Sequence, residues 1–413
     1  RDPYIPENQG FDIVVWGRQH PNPPGGYFAP FSADSNLPSA EIGKHIDDVL
    51  VDEAISFIKA NGTQPFLLNL WFFGVHAPIT AKESLIERFR DKPPGSNGQS
   101  SPTMAAMIAS LDSSIGRLLE SVEAQGISEE TVVIFYSDNG GNMYNFVDNT
   151  LPTSNRPLRQ GKGSIYEGGT RVPCIVRWHG LAKPGSVSKA LINSTDIFPT
   201  ILEAAGISSE RYQVDGMSMV KAMTNESGSR EAIFCHFPHT IVATANRPAT
   251  SVRTNHWKLI RFFNDNTDGS HRYELYNLTK DPSEVFDLAS NYPEIVEQLD
   301  DMIENFLTST NALVPISNPE YFARDNGWEG NNQVIMRRIQ GKLELRSNGD
   351  SPMIISNHSL ATAKEPNELK IEMTSNSQGN TRVFWTDHGS DAFTEENSLE
   401  IMTRHNGISQ VYS

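Results

Sequence analysis

Apolar positions along the chain fall into runs whose period changes with place. Over residues 41–60, Ile46, Val49, Leu50, Ala54, Phe57 and Ile58 share one face at helical spacing, which predicts an amphipathic helix. The spacing is clearest over residues 104–122. There Met104, Met107, Ile108, Leu111, Ile115, Leu118, Leu119 and Val122 follow at steps of three and four. Residues 194–205, with Ser, Thr and Asp at the capping end, predict another helix. Between the helices lie short continuous apolar runs at 65–73, 131–136 and 174–178. Runs of that length predict strands buried on both faces, as in a parallel sheet. Strand and helix alternate, so the expected fold class is α/β: a mostly parallel sheet sandwiched by helices. In such sheets ligand sites collect at the carboxyl ends of the strands.

The pattern changes after about residue 207. Short strands at 257–263 and 273–278 are joined by Asn, Asp and Gly turns, and a helix follows over 293–307. From about residue 327 the chain reads as all-β, with runs at 334–339, 343–345, 369–373 and 381–385. The expected organisation is an α/β domain over 1–206, a small antiparallel C-terminal subdomain over 207–326, and a β-rich, sandwich-like appendage over 327–413. No internal repeat stands out. The longest apolar stretch, 65–75, contains Asn69 and falls short of the ~18 residues a membrane-spanning helix needs.

Composition narrows the function classes. A formal net charge of −16 opposes non-specific nucleic-acid binding, which rests on Lys and Arg neutralising phosphates. An anionic substrate would need a local cluster of positive groups, because the bulk field repels it. Two cysteines, Cys174 and Cys235, do not make a disulfide scaffold. Cys174, within the run RVPCIVRW, is expected in the core. The chain begins at Arg1 in a Pro- and Gly-rich stretch, and it is expected to be a piece of a longer protein whose targeting signal lies off it.

Three places carry candidate chemistry. After the run TVVIFY comes Ser137-Asp138-Asn139-Gly140-Gly141. Asn and Gly tolerate positive φ, so this can be a plain turn. Asp138 and Asn139 could equally present two adjacent oxygens to a hard cation, Ca²⁺ or Mg²⁺. In RQGKGSIYEGGTRVP, Lys162 stands between glycines that let backbone approach a ligand closely. The Walker spacing of a phosphate loop is absent, yet a lysine there can set a point charge against a sulfate or phosphate oxygen. His76, just past the apolar run and before a proline, fits an acid or an oxyanion-binding role.

Taken in order, the strand before His-x-Pro, the long helix, SDNGG, and GKGSIYEGGTRVP resemble the sulfatases of the alkaline-phosphatase superfamily. GFD at Gly10, DIFPTILEAAG from Asp196, HWKLI from His256 and ELYNL from Glu274 extend the resemblance over roughly residues 8–300. It implies that Asp138 and Asn139 supply half of a Ca²⁺ site, with Mg²⁺ as the alternative. It implies that Lys162 binds the sulfate and bridging oxygen, and that His76 contacts the sulfate and assists the leaving group. It also implies a formylglycine nucleophile from a Cys/Ser-x-Pro-x-Arg motif. That motif, the paired aspartates completing the metal site, and a Lys-x-His motif are not in this chain, so the isolated chain is expected to be inactive.

His20, His236 and His239 fall in loops that resemble substrate-facing loops of carbohydrate sulfatases. The implied partner is a sulfated carbohydrate or another sulfate monoester. The implied location is periplasmic, secreted or lysosomal. A phosphodiesterase or phosphonate hydrolase of the same superfamily, and a non-catalytic glycan-binding remnant, remain open as alternatives. Nothing in the sequence sets the oligomeric state or the sulfated position.

Overall fold

A computed structural model describes residues 5–316, except 16–21, 24, 33–36, 38, 225–229, 245 and 267–268, together with strand segments beyond 327. His20 lies outside the described residues. Two compact units are formed, Arg1–Phe322 with Gly330–Pro352, and Ala323–Glu329 with Met353–Ser413.

The first unit opens with a helical layer. Helix α1, Ile46–Asn61, is capped by His45, whose Nδ1 accepts the Asp47 N–H at 3.3 Å. Helix α2, Glu83–Arg90, was not anticipated; it is short and strongly charged. Helix α3, Pro102–Ala124, begins at Ser101, whose hydroxyl accepts the Met104 N–H, with proline in the first turn. Both α1 and α2 pack against α3. The small residues Ala106, Ser110 and Ser114 of α3 are buried. By contrast, Ile108 of the predicted apolar stripe is half exposed.

Strand β1, Val133–Tyr136, pairs with β2, Cys174–Arg177, and the pairing is antiparallel. The chain leaves β1, folds residues 137–173 into loops, and returns beside the same strand, which needs no crossover. The run at 65–73 is extended but pairs with no strand among the described residues. Its side chains alternate, with Leu67 and Trp71 exposed and Phe66, Leu68 and Leu70 partly covered. The expected parallel pairing is therefore not formed among the described residues, and the runs are not buried on both faces. Ile175 of β2 is 63% exposed. Cys174 is partly covered rather than in the core.

The helical turn α4, Glu167–Thr170, and helices α5, Ile197–Ala204, and α6, Val220–Thr224, lead into a four-stranded antiparallel sheet. Its order is β3, Ile233–Phe237; β4, Ala249–Arg253; β5, Trp257–Phe262; β6, Arg272–Asn277. Strand side chains alternate between faces, and here each face has its own core. On one face Ala249, Ile260, Phe262 and Tyr276 pack with Ile165 and Tyr166. On the other, Val252, Leu259 and Leu275 pack with Leu299, Ile303 and Leu307 of helix α7, Pro293–Ser309. Those three fall at steps of four, the spacing that places side chains on one face.

Beyond residue 327 the described strands form short two-stranded pairs, three of them antiparallel. Val334–Ile339 pairs with Lys342–Ser347, Ile371–Met373 with Gln410–Tyr412, and Thr381–Phe384 with Ser398–Ile401.

Candidate functional site

The glycines of SDNGG and of the Lys162 segment turn out to serve a steric purpose. A Cβ on Gly140 would lie 1.7 Å from the Gly168 carbonyl oxygen, and one on Gly161 would lie 2.2 Å from that of Gly141. A Cβ on Gly169 would meet the Ser164 carbonyl oxygen at 2.1 Å. The two loops thus interlock backbone on backbone. Their hydrogen bonds follow: Gly140 N–H donates to Gly169 O at 3.0 Å, and Lys162 N–H to Gly141 O at 2.9 Å. Asn155 closes the seam, accepting from Gly141 N–H through Oδ1 and donating through Nδ2 to Gly141 O and Gln160 O. Of these glycines only Gly163, at φ +80°, needs the left-handed region. What these glycines admit at close range is the other loop, and positive φ is not what SDNGG requires.

The interlock sets the Lys162 turn directly against the Asp138–Asn139 loop. Asp138 is exposed, and its Oδ1 accepts the Asn139 N–H at 2.8 Å. Asn139 donates its amide to Gly140 O at 3.0 Å, which leaves its side-chain oxygen clear. A carboxylate and an amide oxygen suit a hard cation, but such ions take six or more oxygens. Among the described residues no group of three or more His, Cys, Asp or Glu could hold a metal. The pair fits as two ligands of a larger set. The Lys162 ammonium forms no hydrogen bond or ion pair with the described residues and is partly covered.

A buried charge cluster anchors this turn to the sheet. Lys258 of β5 is 1% exposed, Glu167 of YEGG 2% and Glu284 0%. Lys258 Nζ lies 3.0 Å from Glu167 Oε1 and 3.0 Å from Glu284 Oε1, while Glu284 Oε2 accepts the Glu167 N–H at 2.7 Å. Burial alone would raise the Glu167 carboxyl, but Lys258 and Arg253 outweigh it and hold it below the ordinary range. For Glu284, burial prevails and pushes the carboxyl up, despite Lys258. Arg159 reinforces the join: its guanidinium sits 3.8 Å over the Tyr166 ring and donates to Tyr276 Oη and Glu284 O. The sequence reading missed this cluster. A lysine in phase with Ile260 and Phe262 on a strand was the available signal.

The predicted histidines separate. His76 Nδ1 lies 2.8 Å from Ala77 O; a carbonyl only accepts, so Nδ1 carries hydrogen and Nε2 is left for a ligand. His236 shares strand parity with Phe234, which stacks on Phe306 of α7. His236 Nδ1 bonds Thr250 Oγ1 at 2.7 Å and Nε2 bonds Leu313 O at 3.0 Å. It therefore faces α7, across the sheet from Ile165 and Tyr166, with both ring nitrogens engaged. His239 is exposed, on a segment that folds onto the Lys162 turn. There Thr244 Oγ1 donates to Gly163 O at 2.8 Å, and Asn246 Oδ1 accepts the Ile165 N–H at 3.2 Å.

Comparisons with known proteins fall on the same residues. A sulfatase family model matches residues 4–207, and a model of the C-terminal region of N-sulphoglucosamine sulphohydrolase matches residues 160–309. A sulfatase of Formosa agariphila is 33% identical over 272 residues, covering 60% of this chain and 47% of its own. An N-acetylgalactosamine-6-O-sulfatase of Bacteroides thetaiotaomicron is 28% identical, covering 64% of this chain and 51% of its own. The crystal structure of Ps i-CgsB in complex with k-i-k-neocarrahexaose matches with a TM-score of 0.55 at 25% identity, over 65% of this chain and 56% of that one. The chain spans 47%, 60% and 48% of the length of three such curated relatives.

Proposed function

The chain belongs to the sulfatase family, and from that premise we propose that the protein hydrolyses sulfate esters on a sulfated carbohydrate. The observation that carries this reading is the backbone interlock that sets Lys162 against Asp138 and Asn139. A sulfate ester is an anion whose transition state gathers charge on the equatorial and leaving oxygens, and preorganised cations and donors stabilise that charge. Lys162 brings a point charge that is not engaged by the described residues, and it meets the sulfate and its bridging oxygen. His76, with Nδ1–H tied to Ala77 O, turns Nε2 to the leaving oxygen; in the imidazolium form Nε2 also carries hydrogen and donates it there.

Asp138 and Asn139 would hold a Ca²⁺ ion, or Mg²⁺ in its place, which when bound supplies positive charge beside the sulfate and lowers the pKa of the nucleophile. The nucleophile of this reading is the family's formylglycine. Neither cysteine of this chain can supply it, since neither is followed by x-Pro-x-Arg. Burial also pushes both thiols up, Cys174 and Cys235 alike, away from thiolate reactivity.

Among the three histidines read as substrate-facing, the reading carries His239 forward, because its segment packs on the Lys162 turn. The relatives named for N-acetylgalactosamine-6-O-sulfate, and the neighbour solved with a neocarrahexaose, support a carbohydrate substrate. An exported location, periplasmic, secreted or lysosomal, accompanies such a substrate. No helix among the described residues is long and apolar enough to cross a membrane.

Lys162→Ala in the full-length protein tests the reading. Turnover of an aryl sulfate should fall by ~100-fold or more, as loss of a transition-state charge contact does. A near-normal rate removes Lys162 from the mechanism. Faster turnover of an aryl phosphodiester than of the sulfate by the unaltered protein would instead favour a phosphodiesterase.

A further inference from the structure

We propose that Asp47 and Tyr27 are positioning residues for His76, gripping the backbone on both sides of its turn so that the imidazole keeps one direction. The inference rests on the reading of His76 as the group that assists the leaving oxygen. Both side chains are 1% exposed, and neither belongs to a motif that the family resemblance assigned to chemistry. The Tyr27 hydroxyl lies 2.7 Å from Phe73 O and 2.7 Å from His76 O, so its one proton is shared between the carbonyls at the two ends of the turn. The turn itself is closed by His76 N–H donating to Phe73 O at 2.8 Å.

Asp47 works on the intervening amides. Its Oδ1 accepts the Phe73 N–H at 3.3 Å, and the Gly74 amide also donates to the carboxylate. The carboxylate occupies the space a side chain at 74 would need, since a Cβ there would lie 2.7 Å from Asp47 Oδ2. Asp47 is in turn fixed by the start of α1, where its own N–H is taken by His45 Nδ1. The His45 ring stacks on Tyr27 with centroids 5.2 Å apart. A rigid helix end, a stacked ring and two buried oxygens thus converge on four residues of backbone.

A buried carboxylate is costly to maintain, since burial disfavours its charged form. Closing a turn requires only that backbone groups be paired, which water or a neutral side chain can do. Asp47 and Tyr27 do more than close the turn: together they engage donors and acceptors on both its strands. That leaves Nε2 of His76 as the ring nitrogen with freedom to meet a ligand, on a backbone that cannot rotate it away. Misplacement of a reacting group by about 1 Å costs ~100-fold in rate, so such a grip has a kinetic consequence.

The test uses the full-length protein and two sulfate esters of one sugar or aryl series, one with an acidic leaving alcohol and one with a poorly acidic one. Tyr27→Phe deletes a single hydroxyl and keeps the stacked ring; Asp47→Asn keeps the shape and removes the charge. The expected result for both is a kcat loss of ~10- to 100-fold on the poor leaving group. The loss on the good one should be several-fold smaller, with KM nearly unchanged. His76→Ala should show the same leaving-group dependence more strongly. Equal losses on the two esters, or no loss in Tyr27→Phe, overturn the positioning role. Should His76→Ala itself show no leaving-group dependence, the reading of His76 fails instead, and the two failures are distinguished. Thermal unfolding of each variant verifies that the fold is kept.

Discussion

The turn that carries Lys162 and the turn that carries His76 are held in place by different means. Around Lys162, backbone meets backbone: Gly140 in one loop and Gly161, Gly168 and Gly169 in the other leave no room for a Cβ. A buried Lys258–Glu167–Glu284 cluster pins the same turn to the sheet. Around His76 the grip comes from two side chains, Asp47 and Tyr27. The first arrangement tolerates almost no substitution, because the obstacle is another peptide group. The second can be adjusted atom by atom, because a hydroxyl or a carboxylate can be altered with the turn left standing. Glycine in the first is a packing requirement, and the identity of the holding residue in the second is a chemical choice.

That contrast can be broken by substitution. Gly140→Ala should have the largest effect, because its Cβ would fall 1.7 Å from Gly168 O, on backbone that cannot turn aside. A loss above about 4 kcal/mol is expected, read as a drop in thermal midpoint or failure to fold cooperatively. A loss under about 1 kcal/mol would mean that the loops separate easily and are not interlocked. Next comes Lys258→Met. It leaves Glu167 and Glu284 facing each other in a dry site, so a loss of about 3–5 kcal/mol in denaturant unfolding is expected. A near-neutral result would show the cluster to be replaceable by apolar packing.

The smallest effect is one of pH and concerns the His76 side. Burial, the larger cause, pushes the Asp47 carboxyl up to about 6, opposed by its bonds to Phe73 and Gly74. In the window between the unfolded value near 4 and about 6, the folded chain holds a proton that the unfolded chain has released. Stability from this group therefore falls as pH rises through the window. Burial pushes His45 down to about 4, with Asp48 opposing and Lys82 assisting. Between about 4 and the unfolded value near 6.5, the unfolded chain binds a proton that the folded chain does not, so stability from His45 rises with pH. The two slopes oppose and largely cancel. Asp47→Asn removes only the first, so its stability should gain about 3 kcal/mol more than that of the parent between pH 4 and 6.5. Denaturant midpoints at three pH values in that range check this; parallel profiles for variant and parent would contradict it.

Much of the scaffold was legible in the order of residues. The helical spacing predicts α1 and α3 within a few residues of their observed ends, the helix expected over 293–307 matches α7, the apolar runs at 131–136 and 174–178 match β1 and β2, and the short strands expected at 257–263 and 273–278 match β5 and β6. Strands β3 and β4 escaped, because IFCHF and ATSVR are short and mix apolar with polar side chains. Helix α2 escaped for a similar reason, being charged on most of its surface. The composition of the run at 65–73 predicts a doubly buried strand. Composition does not say which backbone will lie alongside, and among the described residues none pairs with it.

The chemistry divides in the same way. The sequence by itself marked Asp138, Asn139, Lys162 and His76 as candidates, because each lies in a short motif whose residue types suit metal or sulfate contact. It also placed glycines where some close approach had to occur. Only the tertiary structure decided what those glycines approach, that His236 turns to α7 while the His239 segment covers the Lys162 turn, and which distant residues hold the candidate ones. Lys258 meets Glu167 across 91 positions of chain, and Tyr27 meets His76 across 49. Contacts that far apart leave no periodicity in the sequence, since the loop joining them can have almost any composition. They are set by which faces of helix and sheet come together when the apolar stripes are buried.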